Sequence, residues 1–256
     1  VRRALCLAPR DPQRGNKAAD RSMRTTNSTV RTLGRWLRDW LVIGLIGALL
    51  LLPYRWRVPF TGWLVAHLVA PLAGYRRRVR ENLALIFPQM PPREVERLAR
   101  AVPNNAGRTL IEEWSGDAFK RRAAQAPLHG PGAEALMQAL RDRRGAILVS
   151  GHFGNYDVMR ARLSLDGHVM GGLYRPFPSP RLNRWYYKAI AGMGGPIFPR
   201  GRRGLAEMVQ YLRAGGVVGM LIDQHMAHGA PLQFFGRTAM TATSAAEMAL
   251  KYDALL

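Results

Sequence analysis

The chain has 256 residues and carries 38 Lys and Arg against 17 Asp and Glu, a net charge of +21. That length allows one sizeable domain plus an appendage, and 48% hydrophobic residues argue against wholesale disorder. The charge calls for a polyanion, either nucleic acid, an anionic membrane face or anionic substrates, while a single cysteine, Cys6, excludes an internal disulfide framework and a cysteine-based zinc cluster.

Residues 1–38 hold ten Lys and Arg against two acids with little apolar periodicity, so 1–32 read as a disordered basic arm. The chain starts at Val1, and Met23 is an alternative start. Residues 33–74 read as a membrane-associated apolar segment. The uncharged run Trp40 to Leu52 covers 13 residues, roughly 20 Å as helix, short of the about 30 Å of a bilayer core. Spanning requires the preceding turn, with Arg35 and Arg38 snorkelling. A second run, Val58 to Gly74, is interrupted by Pro59, Gly62 and Pro71. Trp36, Trp40, Tyr54, Trp56 and Trp63 flank the two runs as interfacial aromatics do, and arginines bracket both. Spanning and interfacial attachment both fit this pattern, and a buried helix pair fits it less well. No small-residue cleavage site follows Leu52, which argues against a removable signal peptide.

Composition changes at Gly74-Tyr75, and residues 75–256 read as a catalytic domain truncated at its C-terminus. "RRVRENLALIFP", "PPREVERLARAV" and "PGAEALMQALRDRRG" predict amphipathic helices, the second opened by Pro92 and the third stopped by Gly145. An alternation follows, with strands at "AILVS", "HVMGGLY", "PIFP" and "GVVGMLI". Helices are predicted at "NYDVMRARLSL", "PRLNRWYYKAIAGM", "GLAEMVQYLRAG" and "TSAAEMALKY". Near-continuous apolar strands alternating with helices predict an α/β fold whose sheet is largely parallel or mixed and flanked by helices. In such sheets chemistry gathers at the carboxyl ends of the strands. The residues just past the four strands are Gly151-His152, Arg175, Arg200 and Asp223-Gln224.

His152 and Asp157, in "HFGNYD", are the catalytic candidates. On one helix they would stand about 140° apart, so the pair works only with His152 in a loop and Asp157 in the first turn of the next helix. Asn155 is then a natural N-cap. Asp157 would hold one ring nitrogen while the other faces a substrate, and an imidazole, whose unperturbed pKa is about 6.5, suits proton removal from a hydroxyl. The competing reading makes Asp157 a helix-dipole partner and His152 an ordinary loop residue. Arg175 offers donors to a phosphate or an oxyanion. Arg200, with Arg202 and Arg203, sits on a glycine-rich turn before a helix and suits phosphate, or forms a solvated basic face. Asp223 and Gln224 read as groups shaping the substrate or oxyanion site. Asp223, His225 and His228 lack a familiar metal-ligand spacing, so no metal is assigned. "QFFG" reads as an apolar wall with a turn.

The ordered series "GYRRRVRENLALIFP", "HFGNYD", "LYRP", "GGPIFPRGRRG", "LIDQ" and "FFG" resembles the late acyltransferases of lipid A biosynthesis, the lauroyl/myristoyl type, over about residues 33 to 256. The resemblance implies an inner-membrane-attached enzyme with an N-terminal apolar anchor and a cytoplasmic α/β catalytic domain. It implies transfer of a fatty acyl chain from acyl carrier protein to a hydroxyl of a lipid A precursor, without a cofactor. It implies His152 as base, Asp157 as its partner, and Arg175 as the arginine holding the reacting oxygen or a phosphate. The chain departs from the family in having Ser150-Gly151 before the histidine, and Asp157 where many members have Glu. Acidic carrier protein, phosphorylated lipid and anionic membrane lipids would all meet the +21 charge. Nucleic acid is not an expected partner, because the tryptophans sit in the apolar runs rather than among the basic patches. A sister acyltransferase acting on glycerophospholipids or aminolipids, and a non-catalytic basic membrane-binding protein, are the two alternatives.

Overall fold

The computed structural model describes residues 34–256. The basic arm over 1–32, Cys6 and Met23 lie outside the described residues. The described chain falls into two units, one reaching to Leu45 and the other running from Ile46 to Leu256. Helix α1 covers 34–50. Helices α2 (Tyr54–Leu64), a π-helical turn (Val65–Val69) and α3 (Ala70–Leu72) follow without interruption. Then come α4 (Tyr75–Ile86), α5 (Pro92–Glu113), α6 (Gly116–Ala123) and α7 (Ala133–Arg141).

The α/β region reads β1 (Ala146–Ser150), α8 (Val158–Leu165), β2 (Met170–Tyr174), α9 (Pro180–Gly192), β3 (Ile197–Pro199), α10 (Arg202–Arg213) and β4 (Val217–Leu221). A hairpin of β5 (Ala230–Phe234) and β6 (Arg237–Thr241) leads to α11 (Ser244–Tyr252). All four strands of the main sheet are parallel, in the order β1-β4-β2-β3, while β5 and β6 pair antiparallel in a sheet of their own. The fold is thus mixed α/β, with the four strands where the apolar runs predict them.

Strand alternation sends consecutive side chains to opposite faces, and the core is divided accordingly. Ala146, Met170 and Val217 pack with Leu136 of α7 and Leu163 of α8. Ile197 joins Phe119, Ala161 and Ile190 next to them. The neighbouring residues Ile147, Phe198 and Val218 face the other way, onto Met208 and Leu212 of α10 and Met248 of α11. Two helical layers therefore sandwich the sheet, which is why the strands are apolar on both faces.

Helix α5 departs from expectation by running 22 residues through Pro103. Proline removes one helical hydrogen bond, but Pro103 is buried and the helix is held from outside by α2. The two meet at glycines. A Cβ on Gly62 would lie 2.8 Å from Asn104 Oδ1, and one on Gly107 would lie 2.7 Å from Val65 Cβ and 2.9 Å from Thr61 O. The predicted apolar wall at Gln233–Gly236 is instead the hairpin tip. Phe235 (φ +51°) and Gly236 (φ +69°) both take left-handed backbone, the requirement of a tight two-residue turn. Phe234 and Phe235 are exposed, and Phe235 meets Phe87 edge-on at 5.6 Å.

Gly107→Ala is expected to lower unfolding stability by about 1–3 kcal/mol, because its methyl meets Val65 and backbone. Gly192→Ala, with nothing within 4 Å of the added carbon, should stay near wild type. Thermal unfolding of the two variants side by side checks the helix contact, and equal stabilities would refute it.

Candidate active site

The parallel sheet brings all four predicted strand ends to one edge. Because β4 inserts between β1 and β2, His152 and Asp223 follow adjacent strands. Ser150 and Leu221 are register partners, and Ile222 N donates to Ser150 O at 3.1 Å. The loop after β1 leads to α8 on one face of the sheet, and the chain after β4 reaches α11 on the other. Adjacent strands whose connections leave to opposite faces mark the usual ligand position in open α/β sheets.

Asp223 grips His152 at two points. Its Oδ2 accepts the His152 backbone N–H at 2.7 Å and its Oδ1 lies 2.8 Å from the ring Nδ1. Partial burial works to raise the Asp223 pKa, yet the hydrogen bonds from the His152 ring and backbone hold it below the ordinary carboxylate range. An ionised carboxylate only accepts, so Nδ1 carries a proton, and in the neutral imidazole Nε2 holds the lone pair. Gln224 Nε2 stands 3.5 Å from His152 Nε2. The imidazole edge that remains is partly open to solvent, with 40% of the side chain exposed.

Gly151 is buried because the grip needs space. A Cβ there would lie 3.2 Å from the Asp223 carboxylate and 3.1 Å from the Phe153 ring. Gly154 turns the loop back with φ +57°.

Asp157 is not hydrogen-bonded to the imidazole. Its Oδ1 accepts from Arg160 Nη2 at 2.7 Å and Nε at 3.0 Å, and Arg160 also donates to Ile190 O and Gly194 O at 3.0 Å each. The carboxylate expected on the ring nitrogen is thus supplied by Asp223, which had been assigned to substrate or oxyanion. The reason lies in the helix start. Asp157 itself is the N-cap of α8, and a buried Arg160 one turn on claims its Oδ1. Asn155 is not that cap. Its Oδ1 accepts Asp157 N–H at 3.0 Å, an Asx turn that shapes the chain before the helix.

Arg175 directly follows β2 and Arg200 directly follows β3, and both are exposed. Arg200 N–H donates to Tyr174 O at 2.8 Å, continuing the β2–β3 ladder. Arg175 lies one strand from β4, while Arg200 lies at the outer strand. Neither side chain is hydrogen-bonded to His152. The segment holding His225 and His228 is exposed and leads into the hairpin.

Residues not singled out from the sequence brace the loop from beneath. Thr109 Oγ1 donates to Gly154 O at 2.9 Å. Glu112 accepts from Asn155 Nδ2 at 2.6 Å and from Tyr54 Oη at 2.5 Å. Glu113, 6% exposed, accepts from Tyr156 Oη at 3.1 Å, and Tyr156 meets the His152 ring edge-on at 5.3 Å. Burial, and then the charge of Asp157, push the Glu113 carboxyl up to about 8. The available signal was the acid pair in "TLIEEW", unusual inside an apolar helical stretch.

The profile of the bacterial lipid A biosynthesis acyltransferases matches residues 23–256. A protein of Haemophilus influenzae named lipid A biosynthesis acyltransferase is 32% identical over 158 residues, covering 58% of this chain and 47% of that relative. The matched part thus spans about half the length of the relative.

Glu113 has a folded-state pKa raised from 4.5 to about 8, so the unfolded chain ionises first. Its contribution to stability is full below the unfolded pKa and is lost as pH rises towards the folded one. Glu113→Gln keeps the acceptor for Tyr156 without the ionisation. The variant should gain on wild type between pH 5 and pH 9, by an amount on the order of a few kcal/mol. A constant difference in unfolding midpoint across that range would contradict the buried neutral acid.

Proposed function

Because the chain belongs to the bacterial lipid A biosynthesis acyltransferase family, we propose that it transfers a fatty acyl chain from acyl carrier protein to a hydroxyl of a lipid A precursor. The observation that carries the reading is the His152–Asp223 pair at the carboxyl edge of the parallel sheet. It supplies an oriented base whose second ring nitrogen, beside Gln224, faces away from Asp223.

In this mechanism His152 Nε2 takes the proton from the acceptor hydroxyl as its oxygen attacks the thioester carbonyl. Asp223 stabilises the imidazolium through Nδ1–H. Arg175 supplies donors to the tetrahedral oxyanion. When the intermediate collapses, the C–S bond breaks and the carrier thiolate recovers the proton from His152. A thioester is electrophilic enough that no covalent enzyme intermediate is needed. Asp157 acts at one remove, fixing the start of α8 through Arg160, and Gln224 steadies the Nε2 side. Arg200 serves a phosphate of the acceptor. No cofactor enters the scheme.

The same reading places the protein at the bacterial inner membrane with its catalytic domain on the cytoplasmic side. No single helix among the described residues is long and apolar enough to cross a membrane. One bent pair, Tyr54–Leu72 with Tyr75–Ile86, meets length and composition together, at an angle of 85°. Trp36, Trp40 and Leu41 of the first unit are exposed, as are Trp56, Trp63 and Leu72 of the second. Apolar burial in the headgroup region accounts for such exposure. Residues 33–74 are the proposed attachment, 75–256 the catalytic region, and 1–32 a basic arm.

His152→Ala and Asp223→Asn should each lower kcat about 100-fold or more while leaving acyl-carrier binding intact. Labelled-acyl transfer to a lipid A precursor, run beside a lysophospholipid acceptor, measures this. Retention of more than about a hundredth of the wild-type rate by His152→Ala would remove it as the base. Preference for the lysophospholipid would assign the chain to glycerophospholipid chemistry.

Deleting residues 1–22 should leave membrane attachment unchanged at high salt, which screens the arm's charges. Deleting 33–74 should release the protein. Pelleting of the second deletion with membranes in high salt would place the attachment in the catalytic region.

A further inference from the structure

A groove of about 830 Å³ runs along one face of α5, remote in sequence from the strand-end loops. Its ionisable lining is His67, Arg93, Glu96, Arg97, Arg100 and Arg108. The one acid there is already engaged, since Arg80 Nε and Nη2 donate to Glu96 at 2.6 and 3.0 Å. Arg97 is bound bidentately by Glu94. Arg93 forms no ion pair among the described residues, and Arg100 adds only its charge to the neighbourhood of Glu96. Arg108 donates Nε to the neutral Asn104 at 3.0 Å, which orients the guanidinium without neutralising it. Three guanidinium groups thus share one concave face in excess of the acids present. Unneutralised guanidinium groups lining a concave face favour an anion there.

The surroundings select the kind of anion. One wall is the π-helical turn carrying Ala66 and His67, and such turns recur at functional sites. The same short stretch exposes Trp63, Leu68 and Val69 at 48%, 52% and 46%, with the Trp63 and His67 rings stacked at 5.1 Å. A cationic groove bordered by exposed apolar side chains fits an amphiphile, whose head is anionic and whose tails are hydrocarbon. A free phosphate would not use the apolar border, and an acidic protein surface would leave it exposed. On the α5 face, Arg108 stands one turn before Glu112, whose carboxylate holds Asn155 of the His152 loop.

We propose that this groove binds the phosphate-bearing headgroup of the lipid acceptor, its acyl chains lying over the apolar border. The proposal rests on the acyltransferase reading above and adds to it a headgroup site apart from the phosphate contact given to Arg200.

The test is titration calorimetry of the full chain with dihexanoyl phosphatidic acid. Arg93→Gln/Arg100→Gln should weaken binding about tenfold or more, while Arg121→Gln/Arg213→Gln, which removes the same charge from other helices, should not. Unchanged affinity in the first variant, or equal loss in both, overturns the proposal. Equally tight binding of inorganic phosphate or of dihexanoyl phosphatidylcholine also overturns it, since either would show that the phosphorylated lipid is not what is recognised. Normal lipid binding with lost affinity for acyl carrier protein reassigns the groove to the donor. Acyl transfer measured separately on wild type distinguishes the two claims. Absent transfer with intact, Arg93- and Arg100-dependent lipid binding rejects the transferase reading and leaves the groove as a lipid-headgroup site.

Discussion

Everything at the strand ends depends on one carboxylate reaching across two neighbouring strands. Asp223 holds both the backbone N–H and the ring of His152, at 2.7 and 2.8 Å. Two bonds from one side chain fix position and rotation together, which a single contact cannot do. The grip exists only because β4, last of the four strands in sequence, is inserted next to β1, the first. The site is therefore a property of the completed sheet. A change that loosens the β1–β4 register would part His152 from Asp223. Glycine at 151 follows from the same constraint, since the backbone must approach the carboxylate to within side-chain distance.

Such a grip is only as rigid as the loop beneath it, and α5 supplies that floor. Thr109, Glu112 and Glu113 hold Gly154, Asn155 and Tyr156 in turn. Burying acids is expensive unless each is hydrogen-bonded or neutral. Glu113 meets the cost by keeping its proton, and Asp157 by pairing with the equally buried Arg160. Through Tyr54, Glu112 also joins the loop to α2. The helices bordering the apolar surface and the loop carrying His152 thus share one hydrogen-bonded acid, and displacement of either is felt by the other.

The strands and most helices were legible because continuous apolar runs and amphipathic periods report burial directly. Strand-end residues were legible for the same reason, since parallel topology sends them to one edge. The identity of the partner of His152 was not. Asp157 is five residues away and Asp223 is 71, and nothing in local spacing reveals that β4 closes against β1. Helix α5 was cut short at Val102 because Pro103 normally ends a helix, and only the packing of α2 along it overrides that rule. The acids at 112 and 113 were missed because a carboxylate in a helix reads as solvated until the loop it braces is in place. In the "QFFG" segment the turn was legible and the apolar wall was not, since two consecutive positive-φ residues turn the phenylalanines outward.

The arginines divide into two populations with different work. Some on α4 and α5 are engaged with glutamates, as Arg80 is with Glu96 and Arg97 with Glu94, while Arg93 and Arg100 form no ion pair among the described residues. Those at the strand ends, Arg175 and Arg200, are exposed and set at the edge where His152 stands. In the proposed mechanism Arg175 meets a transient oxyanion and Arg200 a phosphate, and a permanent acidic partner would have to be displaced from either at each turnover. An unneutralised group at a preorganised edge needs no such rearrangement and is worth most where water is displaced. The excess positive charge is therefore better read as two separate demands than as one general attraction. On the proposals above, one is for an anionic head held at the side of α5, and the other is for charge that develops beside the imidazole.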